Sequence, residues 1–117
     1  MSMELNRGEV WLANLNPTQG SEQAGIRPII VFQDDIVSRF STTTIAIPLT
    51  TNLRRASLPV CVLIKQGDGG LAKDSVALCF QLRAIDKSRL IRRLGRLSNR
   101  TISELEEVVL ITLGYDS

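Results

Sequence analysis

The sequence predicts a mainly β protein of α+β class: five or six short strands curled into a small barrel or a strongly bent sheet, followed by one C-terminal amphipathic helix. Three observations predict it. The chain has 117 residues, 44% apolar and 22% charged, with 8 Gly and 4 Pro, enough for one hydrophobic core and too few for two. Short runs of β-branched and other apolar residues recur through its first two thirds, punctuated by Pro, Gly, Asn and Asp. After them the apolar spacing changes to three and four, the helical period. Residues 1–117 read as a single domain with no repeat, low-complexity tract or linker.

Residues 10–15 open with β-formers and end at Asn16-Pro17, a turn signal. Residues 17–25, PTQGSEQAG, hold one alanine as their only apolar side chain and predict an exposed, mobile loop. Residues 28–32, PIIVF, form a continuous apolar run, the mark of a strand covered on both faces. Residues 42–49 give another strand, in which Pro48 suggests an edge or the strand's end. Residues 58–64 follow, then a hairpin connection, KQGDGG, and a last long strand over 74–83. GDGG lacks the Gly-Lys-Ser/Thr and helix of a phosphate loop, so a turn is the better reading. Residues 85–90 suit a short helical turn, and 94–97 are compatible with a strand. From Ser98 onward Ile102, Leu105, Val108, Val109 and Thr112 mark one helix face, with Ser98 or Asn99 as N-cap.

Composition excludes several chemistries. The net charge is only +2, although the 14 basic residues comprise 11 Arg and 3 Lys, a skew towards planar, bidentate donors that suit phosphate and carboxylate. The charge favours a local groove over a broadly cationic surface. There is no His, which rules out His-dependent triads, His–His ribonuclease chemistry and HExxH zinc sites. Cys61 and Cys79 stand singly in apolar runs and read as buried thiols rather than as a disulfide or a nucleophile. No signal peptide or membrane span is legible, so a cytoplasmic protein is expected.

The stretch RGEVWLANLNPTQGSEQAGIRPIIVFQDD, residues 7–35, resembles the opening of the MazF/PemK toxins of bacterial type II toxin–antitoxin systems. The likeness continues through Ile47-Pro48-Leu49-Thr50-Thr51-Asn52, Ala56-Ser57-Leu58-Pro59, Asp74-Ser75-Val76 and Gln81-Leu82-Arg83-Ala84-Ile85-Asp86-Lys87, covering residues 7–113. The resemblance implies a homodimer with a small SH3-like barrel of the MazF/PemK/CcdB type. It implies a sequence-specific endoribonuclease that cuts single-stranded RNA without metal or cofactor, arrests growth and is blocked by a cognate antitoxin.

Metal-free cleavage is possible because RNA carries its own nucleophile, the 2′-hydroxyl. Arg27 would by composition be a surface arginine at a strand's start; the resemblance makes it the catalytic arginine, gripping two phosphoryl oxygens. Thr50 would likewise be an ordinary β-former, and the resemblance makes its hydroxyl a donor to the phosphate, in preference to Thr51. Arginine stays protonated at working pH, so charge stabilisation suits Arg27 better than the role of base. Glu22, the only carboxylate between Glu9 and Asp34, is the candidate general base or acid. Ser21, Gln23 and Gln81 are candidates for reading unpaired base edges. Phe80 stands where some family members carry a carboxylate, so their preferred sequence does not transfer. Trp11 and Phe40 are expected in the core. Arg89, Arg92, Arg93, Arg96 and Arg100 suit partner docking or solubility better than RNA contact. The alternative is a CcdB-like, non-enzymatic toxin that binds and poisons DNA gyrase; it needs a Trp-Gly-Ile tail, whereas this chain finishes Leu-Gly-Tyr-Asp-Ser.

Overall fold

The computed structural model describes residues 4–16 and 25–115. Seven strands form its sheet: β1 (Glu9–Asn14), β2 (Ile26–Val31), β3 (Thr43–Thr50), β4 (Cys61–Ile64), β5 (Ser75–Leu78), β6 (Arg83–Asp86) and β7 (Leu90–Arg96). Two helices accompany them, α1 (Asp35–Phe40) and α2 (Asn99–Thr112). Pairing is antiparallel in the order β4-β5-β3-β2-β1-β7, with β6 also on β3. The predicted fold class holds.

β3 takes two partners along one edge: β6 faces Thr43 to Ala46, and β5 faces Leu49 and Thr50. Pro48 falls in the gap between those ladders, while its other side faces Ile29 of β2. The expectation that Pro48 marks an edge or an end is therefore corrected. A proline is tolerated in this central strand because the partner changes where its N–H is missing.

The curl of the sheet is closed by glycine. The β4–β5 connection, a 3₁₀ turn at Asp68–Gly70, packs against β7 at the far end of the ladder. A Cβ on Gly70 would lie 2.2 Å from the Leu94 carbonyl oxygen, and one on Gly95 would lie 2.7 Å from the Gly69 carbonyl carbon. Only hydrogen fits between these backbones. Asp68 ties the same turn to α2, accepting from the Ser98 N–H at 2.8 Å and from Thr101 Oγ1 at 2.6 Å. GDGG is thus the predicted hairpin connection.

Side chains alternate across the sheet. Val10, Ile30, Ile47, Leu49, Val62 and Ile64 form one cluster, covered by Ile102, Leu105 and Val109 of α2. On the opposite face Ala13, Ile29, Val31, Ala46 and Ile85 form a second, with Leu5, Leu15, Leu90 and half-buried Trp11. Burial on both faces is why β2 reads as an unbroken apolar run. Ser98 is the N-cap of α2, its Oγ accepting from the Thr101 N–H at 3.2 Å.

Four further expectations are corrected. The strand expected over 74–83 is β5, a 3₁₀ turn at Cys79–Gln81, and the start of β6. The helical turn expected over 85–90 shrinks to Lys87–Arg89 between β6 and β7. Phe40 is no core residue: it ends α1 and is 86% exposed. The segment expected as a strand from 58 becomes extended only at Cys61, after a 3₁₀ turn at Leu53–Ser57.

Candidate active site

Arg27 is exposed, one residue into β2, and its Cα partner on β1 is Ala13. Thr50 is the last, buried residue of β3. The β2–β3 register is Val31 to Ala46, Ile30 to Ile47 and Ile29 to Pro48. Continued two residues past that last bridge, it brings Arg27 across from Thr50, and the period of two puts both on the sheet face that carries Ile29 and Pro48. Thr50 Oγ1 accepts from the Asn52 N–H at 3.2 Å, which leaves the hydroxyl hydrogen available to a ligand. Asn52 in turn caps the Leu53–Ser57 turn, accepting from the Arg54 N–H at 3.3 Å.

On the other side of Thr50 lies β5, where Val76 is its partner. Ala56 of the 3₁₀ turn packs on Val76, Leu78 and Cys61, so this turn covers the Thr50 face of β5. Gln81 is half-buried at the end of the Cys79–Gln81 turn, not in a strand as expected. Gln81 thus lies in the turn that joins β5, which pairs with Thr50, to β6, whose Arg83 faces Ala46 on the same edge of β3.

Ser21, Glu22 and Gln23 lie outside the described residues. The ends of the segment that carries them are held together: the Leu15 N–H donates to the Gly25 carbonyl at 2.9 Å, and the Gly25 N–H to Asn16 Oδ1 at 2.9 Å. Arg89 clamps the first end, donating from Nη1 to the carbonyls of Asn14 and Asn16. Gly25 is two residues from Arg27.

The profile of PemK-like, MazF-like toxins of type II toxin–antitoxin systems matches residues 6–113. This chain belongs to that family. It is 41% identical over 110 residues to an endoribonuclease MazF of Staphylococcus saprophyticus, covering 94% of this chain and 92% of the relative. Among solved structures, MazF from Deinococcus radiodurans superposes with a TM-score of 0.82 at 23% identity, covering 96% of this chain and 98% of that one. A mycobacterial endoribonuclease in complex with its cognate antitoxin gives 0.79 at 21% identity, over 94% and 95% of the two chains. Both establish the fold.

Elsewhere in this PemK/MazF-family chain, Cys61 and Cys79 are free and buried, as expected. Burial pushes the Cys79 thiol up to about 12 and raises that of Cys61, so neither forms a nucleophilic thiolate near neutral pH. A groove of about 600 Å³ lies between α1 and α2 and includes Phe32, Val37, Leu110 and Leu113; it shares no residue with Arg27, Thr50 or Gln81. The arginine cluster divides. Arg89 holds the loop base, Arg93 donates to Glu9 at 3.0 Å and Arg96 to Asn99 at 3.1 Å, while Arg92 and Arg100 are exposed. Arg89 is a positioning residue that the sequence did not single out: nothing in a run of five arginines marks the one that reaches back 73 residues to Asn16. Among the described residues no helix is long and apolar enough to cross a membrane.

Proposed function

We propose that this chain is a MazF-type endoribonuclease toxin that cuts single-stranded RNA in a sequence-specific manner, acts in the cytoplasm as a homodimer, and is neutralised by a cognate antitoxin. The observation that carries the reading is the 41% identity to an endoribonuclease MazF, supported by a β2–β3 register whose continuation from Ile29–Pro48 leads to the exposed Arg27 and the strand-end Thr50.

The 2′-oxygen attacks the adjacent phosphorus while the bond from phosphorus to the 5′-oxygen breaks, giving a 2′,3′-cyclic phosphate and a 5′-hydroxyl. Negative charge gathers on the phosphoryl oxygens in the transition state, where a bidentate guanidinium and a donated hydroxyl stabilise it most. Arg27 and Thr50 take these roles, and no metal is called upon. The proton lost by the 2′-hydroxyl and the one gained by the 5′-oxygen need a titratable partner; Glu22 takes one of them, since its loop is anchored two residues from Arg27. Gln81 reads a base edge beside the cut, and Ser21 and Gln23 do so from the loop.

The test is incubation of pure protein with a long defined RNA in EDTA, followed by mapping of the new 5′ ends. Cuts at one recurring sequence with 5′-hydroxyl ends are expected. Arg27→Ala should abolish them while the folded state persists. Glu22→Gln should slow single-turnover cleavage at least tenfold, within the roughly 10²–10⁴ that acid–base groups contribute. Intact RNA together with stalled gyrase would establish the non-enzymatic alternative instead.

A further inference from the structure

Phe80 is out of keeping with its turn. Its neighbour Cys79 is fully buried, whereas Phe80 is 39% exposed in a chain with only 4% aromatic residues. The guanidinium of Arg55 lies over its ring, 5.4 Å from the centroid. Their place in the fold gives the pair meaning. Arg55 belongs to the turn that follows Thr50 and lies across Val76 and Leu78, and Val76 is the cross-strand partner of Thr50. Phe80 lies in the 3₁₀ turn that follows Leu78 and precedes Gln81. Its contact with Arg55 places the ring beside the turn that covers the Thr50 face of β5, next in sequence to the residue assigned to a base edge.

An exposed ring with a cation over one face suits an unpaired nucleobase. The ring supplies a stacking surface without demanding a particular hydrogen-bond pattern, and the guanidinium adds positive charge where a polyanion lies. An acidic peptide would use Arg55 and leave the ring idle; an apolar one would use the ring and strand the charge. We propose that Phe80, backed by Arg55, is a stacking platform for one unpaired base of the RNA beside the scissile phosphate, and that it sets the preference at that position of the cleaved sequence. This rests on the ribonuclease reading above.

The experiment compares Phe80→Leu, which keeps apolar bulk without an aromatic face, and Phe80→Trp, which enlarges that face, in cleavage of a randomised RNA pool and of a single short oligonucleotide. Base stacking contributes about 1–3 kcal/mol, so Phe80→Leu should raise KM by about five- to a hundredfold and flatten the preference at one position. Phe80→Trp should restore both. Arg55→Gln should raise KM at low salt more than at high salt. A Phe80→Leu protein with the parental KM and sequence preference overturns the proposal, even if its thermal midpoint falls, because a purely structural ring would change only that midpoint. So does a Phe80→Leu protein that cuts RNA normally and merely escapes its antitoxin. Failure of the parental protein to cut RNA would instead overturn the ribonuclease reading itself.

Discussion

At Cys79 the fold changes the chemistry of a single group. Packed among Val62, Leu49 and Ala77 in the inner cluster, its thiol is pushed from an ordinary value of 9.0 up to about 12. Unfolding returns it to the ordinary value, so above pH 9 the unfolded chain releases a proton that the native one keeps. The contribution is fully present below pH 9 and is lost as pH rises towards 12, at about 1.4 kcal/mol per pH unit at most. Urea midpoints measured between pH 8 and 10.5 should therefore fall more steeply for the parental protein than for Cys79→Ala; equal slopes would contradict this environment for the thiol. Glu9 is a buried carboxylate met by three donors. Its carboxylate accepts from the Asn6 N–H at 3.1 Å, Trp11 Nε1 at 3.2 Å and Arg93 Nε at 3.0 Å. Arg93 is thereby spent on holding β7 to β1, which its place in a run of basic residues did not reveal.

Among the elements, the β4–β5 connection carries the most consequence. Gly67 and Gly95 separate two reasons for a glycine. Gly67 has a φ of +94° with nothing within 4 Å of an added Cβ, whereas Gly95 would drive a methyl group into the Gly69 and Gly70 backbone at 2.7–3.0 Å. Gly67→Ala should cost about 1 kcal/mol of backbone strain. Gly95→Ala should cost at least about 2 kcal/mol, because backbone cannot swing aside as a side-chain tip can. Thermal midpoints of the two variants check the ranking, and a Gly95→Ala protein as stable as Gly67→Ala would mean that the curl is not closed here. How much of each element could be read in advance follows from where its partners lie. β1, β2 and α2 carry their own patterns: an apolar run between turn residues, or a three-and-four spacing behind Ser98. Helix α1 does not, because its six residues include Ile36, Val37 and Phe40, better suited to a strand. What starts it is a cap, Asp34 accepting from the Ile36 and Val37 N–H groups at 3.0 and 3.3 Å. The break at Cys79–Gln81 was equally hidden, since CFQ continues the apolar run of β5, and it arises because β3 exchanges one partner for another there.

For the whole molecule, Phe40 and Ile36 of α1 and Leu113 and Tyr115 after α2 remain more than half exposed, large apolar side chains left in water. The homodimer proposed above would cover such surface, and association of folded chains makes the thermal midpoint depend on concentration. Raising the protein concentration a hundredfold should raise that midpoint by several degrees; an unchanged midpoint would show a chain that folds and stays alone. The candidate site was legible only in part for a reason of the same scale. Arg27 and Thr50 are separated by 22 other residues and are related only through the β2–β3 register, which no local pattern encodes, so their pairing came from likeness to a family.

β1 is flanked by β2, the next strand to be made, and by β7, nearly the last. While a ribosome is still adding residues 90–97, one edge of β1 has no neighbour and the inner cluster lacks Leu97, Ile102 and Leu105. The sheet closes and its core fills only when the last third of the chain is in place, so any property that needs the finished fold arrives late in synthesis.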